Sequence, residues 1–227
     1  VERSRGLGDV YKRQEQEWLD DARRYYTNIV GKYGTQVQAV LKKAAGLDIQ
    51  MLLPLHGFVW RQDLGYILGK YDLWSRYEPE QRGVVIAYAS VYGGTENAAN
   101  ILACRLREQG VQVEMFDTSV TPASYILAAA FRFSHVVLAA PTYNGGVFVT
   151  MENLLHDLTA HGLKGRRAAY IENGSWAPTS ARGMQKLLEP LNWETAADTV
   201  TLRSALRQGQ QEDLERMAAQ LAESVKA

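Results

Sequence analysis

From Gly83 onward the chain alternates short apolar runs with helix-period segments, and this alternation limits the fold more than any single motif. Runs that read as buried strands fall at 84–89, 111–116, 135–140, 167–172 and 195–202. Apolar residues spaced by three and four predict helices at 95–109, 122–132, 150–160, 178–189 and 210–225. Strands that are apolar throughout bury both faces, as parallel sheets do. Five βα units in about 145 residues predict an α/β fold, a doubly wound five-stranded parallel sheet covered on both sides.

The chain before Gly83 has a different grammar. Residues 1–14 carry neither period and read as a non-native or disordered leader, with the look of a translated cloning scar. Trp18, Ala22, Tyr25 and Ile29 form a helical stripe, and Val37, Val40, Leu41 and Ala44 form a second. Gly46 reads as a C-cap. Ile49–Leu53 predicts a strand stopped by Pro54, and Leu64, Ile67, Leu68 and Tyr71 a short helix. Residues 77–82, polar and containing Pro79, read as a linker. The expected organisation is therefore a leader (1–14), a first segment (15–76), the linker (77–82) and the α/β domain (83–227).

Charge and cysteine content narrow the function. Lys+Arg and Asp+Glu each total 25, so nothing in the net charge points to nucleic acid or an anionic membrane. Cys104 is the single cysteine, which excludes an intrachain disulfide and a cysteine-built metal cluster. No apolar run approaches the roughly 18 residues of a membrane span. A cytoplasmic protein is expected.

Ligands of such sheets sit outside the carboxyl ends of the strands. After the first strand comes Ser90-Val91-Tyr92-Gly93-Gly94-Thr95. Its backbone N–H groups and the following helix N-terminus suit an anion. Ser90 and Thr95 offer hydroxyl donors, and two glycines allow close approach. The loop has no Lys or Arg, and no nucleoside-triphosphate loop occurs, so one phosphate monoester fits better than a triphosphate. Pro141-Thr142-Tyr143-Asn144-Gly145 follows the third strand, and Asn173-Gly174-Ser175-Trp176 the fourth. Each sets an aromatic ring beside glycine and amide groups, which suits a flat heteroaromatic ligand. A plain helix cap at Thr95 and core-filling roles for the two rings are the competing structural readings.

With these residues the chain resembles the C-terminal part of flavodiiron proteins. "YASVYGGTENAA", "SHVVLAAPTYNGGVF" and "IENGSWAPTSARGM" resemble their flavodoxin-like FMN domain, with Tyr92 where that family's phosphate loop usually has a hydroxyl residue. "LLPLHGFVWR" and "YDLWSRYEPE" resemble the end of their metallo-β-lactamase-like diiron domain and its connector. The resemblance implies a flavodoxin-like sheet preceded by a partial metallo-β-lactamase-like segment. It implies FMN, with Ser90 to Thr95 on the phosphate and with Pro141 to Gly145 and Asn173 to Trp176 around the isoalloxazine and ribityl chain. It implies that His56 matches the last diiron ligand. The family's H-x-E-x-D-H motif is absent from the sequence, so His56 would be vestigial and the chain a fragment without its diiron centre. His135, His156 and His161 belong to the α/β pattern. In the family, a rubredoxin-like protein or an NAD(P)H-dependent reductase donates the electrons, oxygen or nitric oxide is reduced, and the chains form homodimers or tetramers. The alternative is a free-standing flavodoxin-like carrier. Such carriers are strongly acidic, whereas residues 83–227 hold 12 Lys+Arg against 14 Asp+Glu.

Overall fold

The computed structural model describes residues 18–227. The expected leader lies outside the described residues. The chain divides into two compact units, 1–76 and 77–227.

The first unit is helical over its described part. Helix α1 occupies residues 18–29, α2 Gly34–Ala44 and α3 Leu64–Ser75. Tyr26 and Trp74 are fully buried, and the rings of Tyr26, Tyr71 and Trp74 meet with centroids 5.2–5.5 Å apart. Gln38 ties α2 to α3 by donating its amide to the Asp72 carboxylate and the Ser75 hydroxyl, each at 2.8 Å. Two expectations change here. The strand expected at 49–53 is not formed; only Leu52 pairs, with Trp60, through two backbone hydrogen bonds. A lone extended segment has no sheet to join, so its ladder stops at one bridge. Of the helical stripe in α1, Tyr25 and Ile29 are exposed, while Arg23, Tyr26 and Thr27 form the buried side of the helix. Gly46 is no left-handed cap, since α2 closes with Ala45 in right-handed geometry.

The second unit is a parallel sheet between two helical layers. Its strands are β1 Gln81–Tyr88, β2 Val113–Asp117, β3 Phe133–Tyr143, β5 Arg167–Asn173 and the pair β6 Glu194–Thr195 and β7 Val200–Leu202. They lie in the order β2-β1-β3-β5-β6, with β7 also on β5 and the short β4, Gly146–Val147, folded back antiparallel on β3. Counted by position this is 2-1-3-4-5, the flavodoxin-like doubly wound order, whose switch point lies between β1 and β3. Helices α4 Gly94–Glu108, α5 Ala123–Arg132, α6 Val149–His161, α7 Ser180–Leu188 and α8 Gln208–Lys226 fill the crossovers and the end. Val84, Ile86, Val137, Ala139, Ala169 and Ile171 pack with Leu102, Leu106, Leu214 and Leu221 of α4 and α8. The alternate residues of the same strands turn to the opposite layer, as period two requires.

Two boundaries differ from the sequence reading. Gln81 and Arg82, expected in the linker, already belong to β1. The strand expected over 195–202 is broken into β6 and β7. Residues 197–199 leave the ladder after the Ala196 N–H bond to the Ala168 carbonyl, and α8 holds Asp198: Gln220 accepts from the Asp198 N–H at 3.0 Å and donates to its carboxylate at 2.9 Å.

His135 sits where β3 meets α8. It is 3% exposed, with Nδ1 at 2.8 Å from the Ser134 hydroxyl and Nε2 at 2.9 Å from that of Ser224. Burial, then the charges of Arg167 and Arg82, lower its pKa to about 4. The unfolded chain titrates near pH 6.5. Because the folded form binds its proton later, this contribution is whole above the unfolded pKa and lost as pH falls toward 4. Between pH 7.5 and 5 the fold should lose about 2 kcal/mol through this group. Urea unfolding at both pH values, compared with His135→Gln, checks this: the variant should show the smaller pH dependence.

Candidate cofactor site at the carboxyl edge

The loops leaving the carboxyl ends of β1, β3, β5 and β7 are tied together at one edge of the sheet. Asn173, buried at the end of β5, is the knot. Its amide donates to the Thr95 hydroxyl at 3.2 Å and to the Ser204 carbonyl at 2.9 Å. Its side-chain carbonyl accepts from the Ser204 N–H at 2.8 Å. The Ser175 and Ser204 hydroxyls meet at 2.8 Å. Gly94 must be glycine because a Cβ there would collide with the Ser204 carbonyl oxygen.

The loop 90–95 turns through Gly93, whose φ of +82° is left-handed. Ser90 Oγ accepts from the Gly93 N–H at 3.0 Å. Thr95 Oγ1 accepts from Asn173, so both hydroxyls have an accepting role filled and a proton left to donate. No side chain caps α4. The first N–H groups of a helix have no intrahelical acceptor, so this end of α4 presents open donors and positive potential beside two hydroxyl protons.

The start of α7 is the contrast. Thr142 Oγ1 accepts from the Thr179 and Ser180 N–H groups at 2.8 and 3.1 Å, and Glu172 accepts from the Ala181 N–H at 3.1 Å. That helix end is satisfied by protein. Thr142 therefore serves as a cap, a role the sequence reading did not give it. Asn144 and Gly145 have φ of +50° and +75° and make the two-residue turn between β3 and β4. Pro141 pairs with Asn173 in the β3–β5 ladder. Gly174 is closed in by Pro178, 3.0 Å from where a Cβ would sit.

Three rings remain unburied at this edge. Tyr143 is 48% exposed, Trp176 92% and Tyr92 98%. Tyr143 rests edge-on against Phe148 with centroids 5.5 Å apart. Val91 is half-exposed beside Tyr92. A large ring standing in water is an unsatisfied apolar surface, so the core-filling reading fails for both Tyr143 and Trp176.

These residues fit FMN. An uncapped helix end with two hydroxyl donors and no carboxylate facing it from the loop suits a phosphate monoester. The exposed rings of the neighbouring loops suit a planar flavin. Ser204, on the loop after β7, is the residue the sequence reading missed. The same rule that selected the other carboxyl-end loops would have selected it.

The described residues do not fit a diiron centre. Among them, no three His, Cys, Asp or Glu side chains come together as a metal site. His56 is exposed, its ring 5.3 Å from that of Tyr25. His135 and His161 serve the scaffold, the latter with Nδ1 at 2.8 Å from the Asp157 carbonyl. No described helix is long and apolar enough to cross a membrane.

No family model matches the chain. It is 28% identical over 173 residues to a nitric oxide reductase of Moorella thermoacetica, covering 75% of this chain and 42% of that one. The solved rubredoxin oxygen:oxidoreductase of Desulfovibrio gigas superposes with a TM-score of 0.84 at 23% identity, covering 90% of this chain and 52% of that one. A flavodoxin of Streptococcus pneumoniae superposes with a TM-score of 0.55 at 24% identity, covering 62% of this chain and 98% of its own. The chain spans between a third and about half of the length of the curated relatives it matches. At 22–28% identity, these relatives and structural neighbours include a nitric oxide reductase, flavorubredoxins, rubredoxin:oxygen oxidoreductases and a flavodiiron protein of Giardia intestinalis.

Proposed function

We propose that the second unit is the FMN-binding electron-transfer module of a flavodiiron-type oxygen or nitric oxide reductase, and that the first unit is a segment of the accompanying metallo-β-lactamase-like domain. The observation that carries this reading is the uncapped start of α4 with the free hydroxyl protons of Ser90 and Thr95 beside it. Bound there, the flavin would supply one- and two-electron transfer. Ser90, Thr95 and the N–H groups of Val91, Tyr92 and Gly94 would hold its phosphate, the Gly93 N–H being taken by Ser90. Asn173 and Ser204 would keep that cradle in shape. Tyr143 and Trp176 would pack on the ring and exclude water, with Gly145 and Gly174 letting the backbone approach its edge. The free-standing carrier is the weaker reading, because a match over 90% of the chain reaches well past residues 77–227.

Four-electron reduction of oxygen to water, or reduction of nitric oxide, would require a metal centre that the described residues do not hold. The chain loaded with FMN alone should therefore take electrons from a reduced rubredoxin-type donor and return them to oxygen only as peroxide. Anaerobic mixing followed by flavin absorbance, then product analysis in air, tests this. Absence of electron uptake would overturn the reading, and so would four-electron reduction of oxygen to water.

A further inference from the structure

We propose that a cavity beside α7, away from the carboxyl edge, binds a small aromatic carboxylate. The cavity is an open depression of about 600 Å³ in which Arg182, Gln185, Lys186, Glu189, Asn192 and Thr195 are exposed. One of its walls is a face of α7. Arg182, Gln185, Lys186 and Glu189 fall at i, i+3, i+4 and i+7, while Ala181, Met184 and Leu188 of the same helix are buried in the core. Neither Arg182 nor Lys186 has a side-chain partner among the described residues. Glu189 is the single carboxylate of the lining, so the cavity keeps a net positive charge.

Tyr170 and Trp193 also line it. Tyr170 is 3% exposed, and its hydroxyl has no protein partner among the described residues. That oxygen is not one of those sealed from solvent, and Tyr170 is one of the residues that line the cavity. Burial pushes its pKa up to about 12, which keeps the proton on and available to donate. The Trp193 indole N–H is spent on the Leu163 carbonyl at 2.7 Å. The ring is thereby fixed, and its face is left as an apolar surface.

Together these groups ask for a planar ring against Trp193, a carboxylate between Arg182 and Lys186, and a polar substituent or carboxylate edge at the Tyr170 hydroxyl. A phosphate dianion suits the place less well. Trp193 and Leu188 of its lining offer a bare phosphate nothing, whereas an aromatic carboxylate uses both the cations and the ring.

Calorimetric titration of the full chain tests this with benzoate, benzyl alcohol and inorganic phosphate as probes. Benzoate should bind at one site with a Kd of about 1 mM or tighter, and benzyl alcohol at least about tenfold more weakly. Phosphate should give no saturable heat. Arg182→Gln combined with Lys186→Gln, both on the surface, should weaken benzoate at least about tenfold, and Tyr170→Phe about three- to tenfold. Failure of benzoate to saturate by about 20 mM, equal binding of the alcohol, tighter binding of phosphate, or unchanged benzoate affinity in the double variant would each overturn the proposal. The outcome is independent of FMN binding.

Discussion

Replacing Ser90 and Thr95 together by alanine is expected to weaken FMN binding by about two to four orders of magnitude. A hydrogen bond to a charged group is worth roughly 1.5–3 kcal/mol, and two are removed from a cradle that has no Lys or Arg to compensate. Part of the loss would come through the loop itself, because Ser90 also accepts from Gly93 and Thr95 from Asn173. Thr95→Ser keeps the hydroxyl and separates the two effects: on the Ser90 background it should recover most of what Thr95→Ala loses. Fluorescence titration at constant circular dichroism is the measurement. An unchanged affinity in the double variant would remove the phosphate from this loop.

The second large effect is on stability and centres on Arg166. This residue is 1% exposed and has no carboxylate partner among the described residues. Its guanidinium donates only to main-chain carbonyls: Nε to Ala130 at 2.7 Å, Nη2 to Phe131 at 2.7 Å, and Nη1 to Tyr77 at 2.6 Å, Lys164 at 3.1 Å and Gly165 at 3.3 Å. Ala130 and Phe131 lie in the last turn of α5, where open carbonyls and the negative dipole end favour a cation. Burial lowers the pKa to about 9, which leaves the group charged at neutral pH. Arg166→Met would leave several buried carbonyls unpaired and should cost about 3–5 kcal/mol. That corresponds to a fall in Tm of about 10 °C or more for a chain of this size. Arg166→Lys should recover only a minor part, because an ammonium cannot span the fork of carbonyls. Denaturant unfolding checks both, and a loss below about 1 kcal/mol in Arg166→Met would contradict the clasp.

How much of this was legible in the sequence follows from where each signal lies. The strand and helix order of the second unit was written in periodicity, because strands buried on both faces leave uninterrupted runs such as Val84–Tyr88. The break in the last strand was not, because it depends on Gln220 of α8 reaching Asp198, a contact 22 residues away. The strand expected at 49–53 had the right composition and no neighbour to pair with. The stripe Trp18–Ile29 had the spacing of a helix, but the ring cluster with Trp74 is built on Tyr26, off that stripe. At the site, the glycines and rings were readable as loop chemistry. The division of labour was not: Thr142 caps α7, Asn173 ties three loops, and Ser204 completes the knot from a loop that carried no motif.

The account rests on a phosphate cradle at the start of α4, and equilibrium dialysis of the chain against FMN and against riboflavin tests it most directly. The two ligands share the ring and the ribityl chain and differ only in the phosphate. The account predicts one FMN per chain, with riboflavin bound at least about a hundredfold more weakly because the cradle's donors then lose their anion. Equal affinity for the two, or no saturable binding of FMN, would contradict it.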